Sequence, residues 1–287
     1  MWQEALNAEL LRRLDALALN LRATSAAGEA GNRRSRAKGS SVEFADFREY
    51  QPGDDPRRID WAAFARFDRL ILRLFLDERD TLLTLWIDCS ASMGPKADTV
   101  RALAAALGYL TLSRFDRLRV CALGQGLKVR SQIFRGRAGF PAVVAFLDAL
   151  SFDGDTALLQ GVRAAPPSPG GVSILLSDLL TGDDWRQSIS FLAYCKQQIA
   201  VVQTFAPEEL DPQLEGPVRL ESAEGEPAVE IQADAAVLAA YRAALTAFTT
   251  GVREHCHRLG AAWALLDTGV PLQRVLFDTL PAAGILR

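Results

Sequence analysis

The sequence predicts an α/β protein, a doubly wound and mostly parallel sheet of the Rossmann type with an N-terminal extension. Three observations predict it. Residues 82–87, 172–176 and 199–204 are short, largely apolar runs, the pattern of strands buried on both faces of a parallel sheet. Segments between them repeat their apolar residues at helical spacing. Alternation of the two patterns folds most simply with helices on both sides of one sheet.

Taken in order, Leu6, Leu10, Leu14 and Leu17 mark an amphipathic helix that needs a surface to cover. Residues 28–41, with Arg33, Arg34, Arg36 and Lys38 among Gly and Ser, read as a solvated basic loop. After the strand at 82–87, Val100, Leu103, Leu107 and Leu110 share one helical face. Residues 119–123 and 128–132 read as a hairpin about Gly124-Gln125-Gly126. Val143, Phe146, Leu147 and Leu150 mark a further helix, ahead of the strands at 172–176 and 199–204. Pro207, Pro212, Gly216, Pro217, Gly225 and Pro227 make 207–228 an insertion holding at most a small hairpin. Asp234 is placed to cap a helix bearing Leu238, Tyr241, Leu245, Phe248, Val252 and Leu259, closed by Gly260, and 261–266 is the last strand. The organisation expected is an N-terminal segment, 1–79, packed on the core, and an α/β domain, 80–287.

Composition narrows the function classes. The 287 residues are 49% hydrophobic and 23% charged, as in folded globular chains. A formal charge of −3 offers no overall excess to hold nucleic acid or an anionic membrane. Cys89, Cys121, Cys195 and Cys256 are scattered, without zinc or disulfide-framework spacing, and read as reduced thiols. Glu4, Arg12, Arg13 and Asp15 interrupt any signal-peptide core. The uncharged run 164–177 is short and broken by Pro166, Pro167 and Pro169, so no transmembrane segment is expected and the expected address is the cytoplasm.

The segment most charged with chemistry is Asp88-Cys89-Ser90-Ala91-Ser92, directly after the first buried strand. An Asp and two hydroxyls at i, i+2 and i+4 can converge at the carboxyl edge of a sheet, where open α/β folds hold their ligands. Thr156 and Asp178 occupy further carboxyl-edge positions. Two carboxylates and three hydroxyls are all-oxygen donors, which suit Mg²⁺ or Mn²⁺ rather than Zn²⁺. A capped helix start would also use Ser90 or Ser92.

This set resembles the metal-ion-dependent adhesion site of von Willebrand factor A domains. The resemblance implies that Ser90, Ser92 and Thr156 bind Mg²⁺ or Mn²⁺ directly, that Asp88 and Asp178 act largely through water, and that one position stays open for an acidic side chain of a partner. Leu179 departs from the pattern, in which Gly often follows the last Asp. Upstream, residues 42–61, with Gly53-Asp54-Asp55-Pro56-Arg57-Arg58-Ile59-Asp60-Trp61, then Ala65-Arg66 and Glu78-Arg79-Asp80, resemble the bacterial family called domain of unknown function 58. Gly225-Glu226 and the C-terminal helix and strand fit it too. That resemblance implies a von Willebrand A-like domain and partnership with a MoxR-type AAA+ ATPase in assembly or maturation of a client protein. Physically, Arg57, Arg58, Asp60 and Arg66 can form an ion-pair network around Trp61.

Several enzyme classes lack their residues. An aspartyl phosphohydrolase would place a second Asp where Ser90 stands. Neither a Walker sequence, a completed dinucleotide fingerprint nor a Gly-x-Ser-x-Gly elbow occurs. His255 and His257, two apart on a helix, point in different directions. The function expected is a non-enzymatic, metal-dependent interaction module, with a hydrolase using the same cation as the alternative.

Overall fold

The computed structural model describes residues 2–21, 43–50, 59–76, 81–114, 116–225 and 227–287. The basic loop at 28–41, the turn at Gly53, Asp54 and Asp55, Arg57, Arg58, Glu78-Arg79-Asp80 and Glu226 lie outside them. The chain divides into two compact units, Met1–Ala27 with Thr81–Arg287, and Gly28–Asp80. The N-terminal helical segment groups with the sheet body in the first of these units.

Helix α1 (Ala8–Leu14) starts where Asn7 caps it, the Asn7 Oδ1 accepting from Leu10 N at 2.8 Å. Its Leu10 and Leu14 are fully buried, while Leu6 and Leu17 lie beyond its ends and still pack against the core. In the smaller unit, β1 (Glu43–Glu49) pairs antiparallel with β2 (Ile71–Leu76), and α2 (Trp61–Phe67) lies between them in sequence. Asp60 caps α2, accepting from Ala63 N at 3.1 Å, and Trp61 is exposed.

The larger unit runs β3 (Leu82–Asp88), α3 (Ala97–Ser113), β4 (Arg117–Leu123), β5 (Leu127–Arg130), β6 (Phe134–Arg135), α4 (Phe140–Asp148), α5 (Leu158–Ala164) and β7 (Val172–Ser177). It continues through α6 (Trp185–Tyr194), β8 (Gln198–Phe205), α7 (Pro207–Leu210), β9 (Gly216–Leu220), β10 (Val229–Ala233), α8 (Ala235–Arg258) and β11 (Ala262–Asp267), and closes in helical turns over 272–282. The sheet order is β11-β8-β7-β3-β4-β5, with β6 also on β4. All pairings are parallel except those of β5 and β6 with β4. The fold is therefore mixed α/β with a mostly parallel central sheet, compatible with a Rossmann-like arrangement.

Period-two alternation sends the two faces of each strand into different cores. Leu83, Leu85, Ile87, Val120, Ile174 and Val202 join Leu103 and Leu107 of α3 on one side. Trp86, Cys121, Leu175 and Val201 join Leu158, Ile189 and Val252 of α5, α6 and α8 on the other. Helices α5 and α6 carry too few apolar repeats to stand out in the sequence; α5 has seven residues with Gly161 in the middle. The hairpin after β4 splits into β5 and β6 because the Ser131 hydroxyl accepts from Val120 N at 2.9 Å and donates to Gln132 O at 2.7 Å. The insertion does contain a hairpin, β9 with β10.

Close packing makes one glycine indispensable. A Cβ on Gly161 would lie 2.7 Å from Leu123 Cδ2 and 2.9 Å from the Gly126 carbonyl oxygen, and backbone cannot yield cheaply. Gly161→Ala is expected to lower stability by roughly 1–3 kcal/mol. Gly251 in α8 has nothing within 4 Å of its Cβ position, so Gly251→Ala is expected to add about 0.5–1 kcal/mol. Urea denaturation midpoints of the two variants, moving in opposite directions, check this.

Candidate functional site

Strands β3 and β7 are parallel neighbours with Ile87 opposite Leu176, so Asp88 comes level with Ser177 and Asp178 follows one residue on, both at the carboxyl edge. The chain continues from β3 to β4 on one side and places β7 on the other, which makes this the point where the winding reverses, the position at which open α/β sheets hold their ligands. Both carboxylates are fully buried. Asp88 accepts from Ser90 N at 3.1 Å and, through its other oxygen, from Ser177 Oγ at 2.6 Å. Asp178 Oδ1 accepts from Leu180 N at 3.0 Å, and its Oδ2 accepts from Ser92 Oγ at 3.1 Å and Lys96 Nζ at 2.8 Å. The Ser90 and Ser92 hydroxyls are 3.0 Å apart.

Asp88, Ser90, Ser92 and Asp178 are thus brought into one bonded cluster. Ser90 precedes the 3₁₀ turn Ala91–Lys96 yet makes no side-chain capping bond, so helix capping does not account for its hydroxyl. Thr156 sits in a loop stitched to the same turn, Ala91 N donating to Gly154 O at 2.8 Å and Asp153 N to Cys89 O at 3.0 Å. Its carbonyl accepts from Thr181 Oγ1 at 3.0 Å, but its own Oγ1 is buried without a hydrogen-bond partner. Such an orphan costs about 1–3 kcal/mol and calls for an explanation.

Burial, and secondly the charge of Asp178, push the Asp88 carboxyl up to about 6, against the pull of its bonds from Ser177 and Ser90. Lys96 is fully buried and also donates to Glu209 at 2.9 and 3.1 Å. Ser177, Lys96 and Glu209 escape a reading by motif. Glu209 had a signal nonetheless, since it stands four residues past the carboxyl end of β8, at the same edge of the sheet as Asp88, the last residue of β3, and Asp178, the first after β7. Leu179 takes the left-handed backbone, φ 65°, where the adhesion pattern often has Gly. It tolerates this because its side chain is buried in the apolar layer that also holds Trp86, Leu158 and Trp185, and its N–H donates to Ser177 Oγ at 2.9 Å. His255 lies edge-on to Trp185, its Nε2 3.2 Å from the Arg186 carbonyl oxygen. Among the described residues no group of three or more His, Cys, Asp or Glu is gathered as for a metal.

A family model described as protein of unknown function DUF58 matches residues 46–250. The chain belongs to the DUF58 family. Uncharacterized protein Rv1480 of Mycobacterium tuberculosis is 25% identical over 260 residues, covering 87% of this chain and 79% of the relative, and uncharacterized protein Mb1516 of Mycobacterium bovis matches equally. Among solved structures, protein BatB from Bacteroides thetaiotaomicron has a TM-score of 0.40 at 13% identity, covering 68% of this DUF58 chain and 97% of its own. An aerotolerance-related membrane protein from Bacteroides fragilis has a TM-score of 0.42 at 12% identity, covering 70% and 99%.

The cytoplasmic address is corrected, as is the partner set, a MoxR-type ATPase and its client met by a chain without a transmembrane segment. The address and the missing transmembrane segment rested on the lack of a stretch long and apolar enough to span a bilayer, whereas the ATPase and its client came from the family resemblance. Helix α8, with 24 residues and a window of mean hydropathy 1.3, is such a stretch by length and composition, and only 6% of that window is buried. Arg242 interrupts any uncharged run there, although between residues 235 and 252 no other charge does.

Two substitutions test the local energetics. Ser177→Ala strips a partner from both the Asp88 carboxylate and Leu179 N and is expected to cost about 1–3 kcal/mol. Leu179→Gly relieves about 1 kcal/mol of backbone strain but removes a buried side chain worth about 2–5 kcal/mol. A net loss is therefore expected, read in each case from chemical denaturation.

Proposed function

We propose that this cluster is a metal-ion-dependent adhesion site of the von Willebrand A type, and that the protein is a non-enzymatic, metal-dependent protein-interaction module. The observation that carries the reading is the Thr156 hydroxyl, buried and without a partner in a loop bonded to the turn that carries the carboxylate and hydroxyl cluster. A cation accepting its lone pair removes that cost. The donor chemistry agrees: two carboxylates and three hydroxyls are hard ligands, matched to Mg²⁺ or Mn²⁺. Burial of Asp88 near Asp178 supports it as well, because a divalent charge offsets the desolvation, and secondly the repulsion from Asp178, that raise the Asp88 carboxyl.

In this reading Ser90, Ser92 and Thr156 hold the cation directly, and Asp88 and Asp178 hold it largely through water. When bound, it supplies a Lewis-acidic charge for an oxygen ligand from a protein partner. Lys96, the basic side chain in the cluster, has its Nζ committed to Asp178 and Glu209, which leaves it no role as a general base.

Calorimetric titration of metal-stripped protein with Mg²⁺ and Mn²⁺ tests this. Saturable binding of one cation per chain is expected in the wild type and is expected to vanish in Ser90→Ala and Thr156→Val, with circular dichroism unchanged. Absence of binding in the wild type would sink the proposal.

A further inference from the structure

We propose that Lys96 is the resident counter-cation of this site and limits how tightly it takes a divalent metal, while Glu209 anchors the ammonium beside it. The inference rests on the metal reading above. Lys96 closes the same 3₁₀ turn that carries Ser92, so one piece of backbone delivers both a metal-type hydroxyl and a competing cation. Its Nζ donates to Asp178 Oδ2 at 2.8 Å, the oxygen that also accepts from Ser92 Oγ at 3.1 Å.

On the other side Glu209 accepts from Lys96 through both oxygens, at 2.9 and 3.1 Å. That carboxylate is itself fixed. Its Oε2 accepts from Ala206 N at 2.6 Å, and its backbone carbonyl accepts from Tyr241 OH at 2.6 Å. The Lys96 side chain is 0% exposed and cannot swing away into water, whereas Glu209 is 32% exposed.

Charge counting gives the sign. Asp88, Asp178 and Glu209 contribute three carboxylates and Lys96 one ammonium, leaving two negative charges, the complement of a single divalent cation. A metal drawing on Asp178 meets the ammonium on the same carboxylate, and like charges in a buried site repel strongly. Removing Lys96 takes away that repulsion. Neutralising Glu209 takes away an attraction to the metal and concentrates the ammonium on Asp178.

Mn²⁺ titration by calorimetry of full-length wild type, Lys96→Met and Glu209→Gln tests this. Lys96→Met is expected to bind about tenfold tighter or more, and Glu209→Gln several-fold weaker. Unchanged or weaker binding by a folded Lys96→Met overturns the proposal. If that variant fails to fold, Glu209→Gln decides alone, and equal or tighter binding overturns it. Wild type that takes no Mn²⁺ defeats the site reading and this inference together; wild type that binds, with loss in Ser90→Ala but unmoved Lys96 and Glu209 variants, defeats this inference only.

Discussion

Two carboxylates held side by side in the dark of the protein, Asp88 and Asp178, set the terms for everything around the carboxyl edge of the sheet. Burying like charges is expensive unless each is bonded and the pair is neutralised. The protein answers with donors from every element that ends there: Ser177 from β7, Ser90 N and Ser92 from the turn after β3, Leu180 N from the loop after β7, and the ammonium of Lys96. Glu209 on α7 then balances Lys96, so the demand started by two acids propagates across three strand ends.

The sheet makes that juxtaposition unavoidable. Because β3 and β7 are parallel, Asp88 at the end of β3 comes level with Ser177 at the end of β7, next to Asp178, and the two apolar layers leave the strands no freedom to slip. A one-residue shift would exchange Trp86 with Ile87 between layers and break the pairing that sets Asp88 level with Ser177. The polar centre is therefore held by apolar packing on both sides of it, and Trp86 contributes to both kinds of order, filling one layer while its Nε1 donates to Ser173 Oγ at 3.1 Å.

Much of this was legible in the sequence, for identifiable reasons. Continuous apolar runs exposed β3, β7 and β8, and strand ends then located Asp88, Ser90, Ser92 and Asp178. What stayed hidden obeys other rules. Helix α5 offers Leu158 and Val162 as a single apolar pair, too little periodicity to register. Ser177 looks like one more strand residue until its hydroxyl is seen serving both Asp88 and Leu179 N. Lys96 reads as a surface lysine because burial of an ammonium depends on partners 82 and 113 residues away. The apolar length of α8 was masked by one arginine, whose guanidinium reaches Asp211 at 2.7 Å.

That helix has a further consequence in how the native state opens. At 1.5 Å per residue a helix of 24 residues is about 36 Å long, and its two buried residues, Val252 and Cys256, both lie in the C-terminal half. The other half is held by the Asp234 cap and by exposed bonds from Tyr241 to Glu209 of α7 and from Arg242 to Asp211 just after it. Amide protection therefore grades along one unbroken helix, and the cooperative boundary falls inside it: one end opens only when the sheet unfolds, while the other frays by itself without disturbing the core.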